Sequence, residues 1–339
     1  MTQFMRRLAI TAMIVVVPMT TVRAAERVVI AQSNDSMIWA PLYVARALGY
    51  LKDEDIDIDV AIVKSGPEAM TAVNTGSAQI AMGFPATPIQ AIEKGFKVKI
   101  FAELCNQFIA ELVLRKEVAA GLSIDAQMPV EARIKALKGL KIATNGTGSA
   151  NDYLLRRMFR DAGMNPESDV TITPVGGEIA VLAALDQKRI DGFVATPPGN
   201  VVAVEGHQSV QIIDFAKGEF KPVAGMIYFG LTAQESWLKD KPQVAAGVVR
   251  ALARALALMH DDDAKAKAAV RTFFPGTPQA QFDASWESQR GSFPRTPRLT
   301  ERDVGVTMEF AAQMNANPLV STSAAIFTNE IVDLAEAKK

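Results

Sequence analysis

Two stretches, Ala72–Glu93 (AVNTGSAQIAMGFPATPIQAIE) and Ala184–Glu205 (ALDQKRIDGFVATPPGNVVAVE), share one order of features. Each reads as helix, polar turn, short apolar strand, proline and helix. Aligned without a gap they keep Ala72/Ala184, Pro85/Pro197, Ala91/Ala203 and Glu93/Glu205. Around the first copy, Arg27–Gln32 and the alternating run Ile56–Val63 read as strands, with a helical stretch Ile38–Leu48 between them. Ser65–Glu68 has capping-box spacing, so a helix begins there and ends near Gly76. Phe96–Leu104 closes the first half as a strand. Around the second copy, Leu140–Thr144 and Val170–Val175 read as strands and Asn151–Ala162 as a helix. Strands alternating with helices at this spacing imply βαβ units and mostly parallel pairing. The expected fold is therefore α/β, with two similar lobes in one chain.

The last third is helical. Val244, Val248, Leu252, Leu256 and Met259 recur at helical spacing on one face. Asp240, three residues before Gln243, is the expected cap of that helix. No later apolar stretch reaches the length of a membrane span. The expected role of this part is packing support.

Composition narrows the chemistry. The 339 residues are 49% apolar and 22% charged, with 36 basic and 37 acidic side chains. The charges are scattered, which argues against a nucleic-acid partner. One cysteine, Cys105, and two histidines, His207 and His260, leave no disulfide framework and no Cys/His zinc cluster. Cys105, at the end of a strand, reads as a buried thiol. Asp261–Asp263 lacks the alternating ligand spacing of a calcium loop and reads as a solvated helix end. Neither a metal nor a cofactor is expected.

Residues 1–24 have the layout of a cleaved export signal. Arg6 and Arg7 precede the apolar run Leu8–Val17, Pro18 breaks it, and Val22 and Ala24 occupy the −3 and −1 positions. Cleavage after Ala24 would remove three arginines and no acid, taking the formal net charge from −1 to −4.

In open α/β sheets ligands lie beyond the carboxyl ends of the strands. The turns to search are therefore those around Asn34–Asp35, Ser65–Gly66, Pro85–Thr87, Asn106, Thr147–Ser149, Glu178 and Pro197–Asn200. They are rich in Gly, Ser, Thr and Asn, which leave backbone N–H groups free at helix starts for an anion. Ser149, three residues before Asp152, is a helix cap, either alone or together with ligand contact from Thr147 and Gly148. Gly146-Thr147-Gly148 begins a dinucleotide fingerprint, but Asn151 stands where its third glycine belongs. Trp39 is either a core aromatic or an apolar wall for a ligand. Asp35 and Glu178 either bind an amine or complement a helix N-terminus.

Three segments, SNDSMIWAPLYVARALGYLKDEDIDIDVAIVKSG, TAVNTGSAQIAMGFPATPIQAIEKGFKVKI and LKGLKIATNGTGSANDYLLRRMFRDAGMNPESDVTITPVGG, carry a family resemblance. The chain from about residue 26 to 330 resembles the periplasmic substrate-binding proteins of ABC importers. The subgroup is that for nitrate, sulfonate, taurine and thiamine precursors (NMT1/THI5-like). The resemblance implies a type II periplasmic-binding-protein fold, with two α/β lobes, a cleft between them and two crossover strands, near Phe108–Leu114 and Gly225–Leu231. It implies a discontinuous first lobe, residues 25–108 with 229–339, and a second lobe, 109–228. It places ligand contacts at Asn34–Trp39, Ser65-Gly66, Pro85–Thr87 and Thr147–Ser149. The chain departs from many relatives at Thr196, where they carry an aromatic or acidic residue.

The leading expectation is a soluble periplasmic receptor for a small anionic organic molecule, acting as a monomer with a membrane permease and an ATPase. A thiamine-precursor receptor, an enzyme on the same fold and a sensory module are the alternatives. No enzymatic activity is expected: a thiamine-pyrimidine synthase needs a Cys- and His-rich site, although a carboxylate mechanism through Glu178 stays open. N-terminal sequencing of the exported protein is expected to start at Ala25, and an intact Met1 would overturn the export reading.

Overall fold

A computed structural model describes residues 25–32, 36–63, 65–125, 127–314 and 317–338. The expected signal segment, Asn34 and Asp35 lie outside the described residues. The described residues form ten strands: β1 (Glu26–Gln32), β2 (Ile56–Ile62), β3 (Ile80–Gly83), β4 (Val98–Cys105), β5 (Glu111–Arg115), β6 (Lys141–Thr144), β7 (Thr171–Pro174), β8 (Gly192–Ala195), β9 (Ser209–Asp214) and β10 (Phe229–Gln234).

They form two five-stranded sheets with one plan. The first is ordered β2-β1-β3-β10-β4 and the second β7-β6-β8-β5-β9. Parallel pairs occupy one side: Ile30 of β1 faces Val60 of β2 and Ile80 of β3, and Ala143 of β6 faces Thr173 and Phe193. In each sheet the fourth strand is antiparallel to both neighbours. The repeated stretches Ala72–Glu93 and Ala184–Glu205 explain this symmetry. Their strands, β3 and β8, hold the same third place, each followed by a proline and a helix (Ala86–Glu93 and Gly199–Gly206).

The chain passes between the sheets twice, through links 106–110 and 215–228. The expected crossover strands are shorter than the sequence suggests. Residues 108–110 and 225–228 are link, and the strands begin at Glu111 and Phe229. Strand pairing starts only where the chain meets a sheet edge. We propose to divide the lobes within these links, at 108/109 and 228/229.

The long helix Pro242–Asp261 buries Val248, Leu252, Leu256 and Met259 against the helices Ala40–Ala47 and Glu330–Glu336. At 20 residues it is long and apolar enough to cross a membrane, contrary to the expectation that no such stretch follows the signal. Its apolar stripe is instead buried in the core. Arg250 fixes its rotation with a two-pronged bond to Glu54, Nε to Oε1 at 3.0 Å and Nη2 to Oε2 at 2.6 Å. Asp240 does not cap this helix. It ends the preceding helix Glu235–Asp240, and Pro242, with its φ already set, starts the next. Asp262 caps the following helix, accepting the Lys265 N–H at 3.1 Å.

One carboxyl group is buried without an ion partner in the first sheet. Glu103 on β4 is 1% exposed, and burial, then the nearby Asp303 charge, push its pKa up to about 9. The folded state therefore keeps a proton that the unfolded chain releases near 4.5. The stability tied to this proton is fully present below pH 4.5 and is lost as pH rises through about 9. Urea unfolding at pH 5, 7 and 9 is expected to show wild-type stability falling across that window. Glu103→Gln should flatten the fall, and an unchanged slope would refute the assignment.

Candidate ligand cleft

A cleft of about 630 Å³ opens where the carboxyl ends of β3, β6 and β8 face each other. Three helices begin on its walls: Gly66–Thr75, Ala86–Glu93 and Ala150–Asp161. The first N–H groups of a helix have no acceptor within the helix, and its dipole makes that end partly positive. On the first-lobe wall, Ser65 Oγ accepts the Glu68 N–H at 3.3 Å. Thr87 leans over the same helix start, and a Cβ at Gly66 would sit 2.8 Å from Thr87 Oγ1. A larger residue at Gly66 would have to push the Thr87 side chain aside.

The second-lobe wall is the turn Asn145–Ser149. Ser149 Oγ accepts the Asp152 N–H at 3.2 Å, and Asp152 Oδ2 accepts the Gly148 N–H at 2.9 Å. This reciprocal pair needs Gly148 at φ +76°, a left-handed geometry that suits glycine. Asn151, buried at the base, donates to Asn145 Oδ1 at 2.6 Å and to the Val194 carbonyl at 3.2 Å. The turn is therefore fixed to β8 before any ligand arrives.

The floor is aromatic. Trp39 is buried and meets Phe229 edge to face at 4.9 Å, so it is both a core residue and a cleft wall. Tyr228, Phe84, Tyr153 and the thioethers of Met70 and Met314 complete the apolar surface. Burial raises the Tyr228 hydroxyl pKa, so it stays a neutral donor. Among the described lining residues no side chain is charged. The polar surface consists of hydroxyls and amides, including Ser65, Thr87, Gln90, Thr147, Thr196 and Thr232.

The cleft brings together Trp39, Ser65, Gly66, Thr87, Thr147, Gly148 and Ser149 from the residues singled out in sequence. It does not take in Pro85, Asn106, Pro197 or Asn200. Pro85 and Pro197 are buried in the corners that turn strand into helix. Asn106 is tied by its N–H to the Ser292 carbonyl at 3.1 Å, on the side of the C-terminal helices. Asn200 is fully buried against Glu111. Burial raises the Glu111 pKa to about 7, and Asn200 opposes that rise. Glu178 begins the helix Glu178–Asp186, and only its backbone is described. Cys105 is buried, its thiol donates to the Gln107 carbonyl at 3.1 Å, and burial raises its pKa. It lies away from the cleft lining.

Gln90, Tyr153, Tyr228 and Met314 escaped the sequence reading. Gln90 and Tyr153 were findable, one helical turn beyond Thr87 and Ser149 on the same faces. Tyr228 and Met314 arrive from the second link and the last third of the chain, with no local signal.

The profile of the NMT1-like family matches residues 35–272. The chain belongs to the NMT1-like family. A curated relative of this NMT1-like protein is YtlA of Bacillus subtilis (strain 168), described as a candidate binding protein. It is 33% identical over 94 residues, a match spanning 27% of this chain and 28% of that protein. A solved structure from Bordetella bronchiseptica RB50 covers 93% of the chain and 98% of its own length, at a TM-score of 0.74 and 22% identity. The periplasmic aliphatic sulphonate binding protein SsuA of Escherichia coli superposes over 84% of this chain and 85% of its own, at a TM-score of 0.66 and 16% identity. The periplasmic nitrate-binding protein NrtA of Synechocystis PCC 6803 covers 92% and 88%, at 0.66 and 14%. The fold of this NMT1-like protein is thus the periplasmic-binding-protein fold.

Ser149→Ala removes the side chain that caps the Ala150–Asp161 helix. It should cost about 1 kcal/mol in urea unfolding. An unchanged midpoint would remove the cap from the account of the second wall.

Proposed function

We propose that this chain is the exported solute-binding subunit of an ABC importer, taking up a small organic anion in its interlobe cleft. The observation that carries the reading is the convergence of three helix N-termini from two sheets on one cleft, beside an aromatic floor. The positive helix ends would receive the anionic group, and Ser65, Thr87, Thr147 and Ser149 would donate hydrogen bonds to it. Trp39, Tyr228 and Phe229 would cover its apolar part. The likeness to the aliphatic sulphonate binding protein SsuA and the nitrate-binding protein NrtA supports an anionic cargo. A cleft of about 630 Å³ favours an organic anion over nitrate. Closure of the lobes about links 106–110 and 215–228 would present one surface to a membrane permease served by a separate ATPase. The proposed form is a periplasmic monomer, cut after Ala24, with no nucleic acid, metal or cofactor.

The aromatic floor also suits a flat neutral ring, so a thiamine-precursor pyrimidine is the second reading. An enzyme is less well served. The described lining holds neither histidine nor cysteine, and His207 is engaged with Asp186 at 2.8 Å.

Calorimetric titration of ligand-stripped protein against alkane and arene sulfonates, carboxylates, nitrate and pyrimidines tests the proposal. An organic anion is expected to give heat and, at a hundred times its Kd, to stabilise the fold by about 2.7 kcal/mol. Gly66→Ala, which pushes Thr87 aside, should weaken that anion about tenfold, the equivalent of one hydrogen bond. Binding of a pyrimidine and of no anion would overturn the anion reading.

A further inference from the structure

The helix Glu301–Met314 meets both links and reaches the cleft. Thr307 Oγ1 accepts the Ile227 N–H of the second link at 3.0 Å. One turn on, Phe310 stands 6.0 Å from Phe84 and 6.4 Å from Phe108 of the first link, centroid to centroid. At its end, Met314 lines the cleft. The same helix rests on the first-lobe helix Ala86–Glu93.

From the opposite lobe, Arg157 reaches it. Arg157 lies on the helix Ala150–Asp161, whose N-terminus forms the second wall of the cleft. Its side chain is 8% exposed, and Nη2 donates to Glu309 Oε1 at 3.0 Å. Its Nε donates to Asp161 Oδ2 at 2.6 Å, within the same helix. The two bonds differ in kind. The Asp161 bond moves with the second lobe as a unit. The Glu309 bond joins the two lobes and must break if they part.

We propose that Arg157 and Glu309 form a closure latch, with Arg157 as a positioning residue that holds the second wall of the cleft over the first. Asp161 keeps the guanidinium paired and aimed while the lobes are apart, so recapture of Glu309 needs no reorganisation of the arginine. Glu309 is 64% exposed, so the latch is weak and sensitive to salt. Such a latch biases closure without locking it. It does not depend on which molecule occupies the cleft.

The test uses electron spin resonance distances on the full mature protein without added ligand. Cys105 is fully buried and does not label. Spin labels go on Thr71→Cys, exposed on the Gly66–Thr75 helix, and Ile179→Cys, exposed at the start of Glu178–Asp186. Glu309→Ala is expected to move the ratio of short to long distances toward long by about two- to fivefold. One molar NaCl should do the same to the wild type and add little to the variant. Asp161→Ala, which leaves the interlobe bond in place, should keep most of the short-distance population. A Glu309→Ala distribution and salt response equal to wild type would overturn the latch. So would an Asp161→Ala shift as large as that of Glu309→Ala. If Glu309→Ala proved unstable, the wild-type salt response would decide alone, and its absence would refute the proposal. None of these results bears on the identity of the cargo, which the titrations above decide separately.

Discussion

The contact between Phe108 and Tyr228, 4.6 Å between ring centroids, holds the molecule's two halves at one place. Phe108 belongs to the first link and Tyr228 to the second. Around them, Phe215 lies 6.3 Å from Phe108, Phe220 lies 6.2 Å from Phe215, and Phe229 carries the chain of rings on to Trp39. The Phe215–Phe220, Tyr228–Phe229 and Trp39–Phe229 pairs gain from edge-to-face geometry as well as from burial. Because both crossings are gathered here, the two sheets meet at a seam. A cleft between them follows directly, and its floor is the end of the aromatic chain. The two links and the floor of the cleft are one apolar structure.

The walls follow from a second constraint. The turn after each parallel strand must start a helix, and a helix start needs its N–H groups satisfied. Ser65 and Ser149 meet part of that need on opposite sides of the cleft. Both helix starts line the same space. Hydroxyls, amides and helix ends can stabilise a negative charge without a cationic side chain.

Much of this was legible in the sequence because it is local. A short apolar run marked β1, apolar alternation marked β2, capping spacing marked Ser65 and Ser149, and the repeated strand–proline–helix order marked equivalent places in both sheets. The same repeat misled at Pro85, Pro197 and Asn200. A proline repeated at a turn records the shape of a corner, and here the corner faces inward. Asn200 follows a strand end as ligand residues do, yet it turns to the buried Glu111. Tyr228 and Met314 could not be read at all. Their place in the cleft depends on where distant segments return, which hydrophobic periodicity does not encode.

The position of β10 has a consequence for how the chain acquires its structure. This strand lies between β3 and β4, yet the whole second sheet separates it from them in sequence. The first sheet therefore cannot be finished as the chain emerges. β4 has no neighbour within its own sheet until the second half of the protein has been made. The second sheet uses only β5 to β9, a continuous run, and can assemble first. Such long-range closure slows folding, since loop entropy is paid before the pairing that rewards it. The first half stays open while the second half organises, and β10 enters it as the late-arriving keystone.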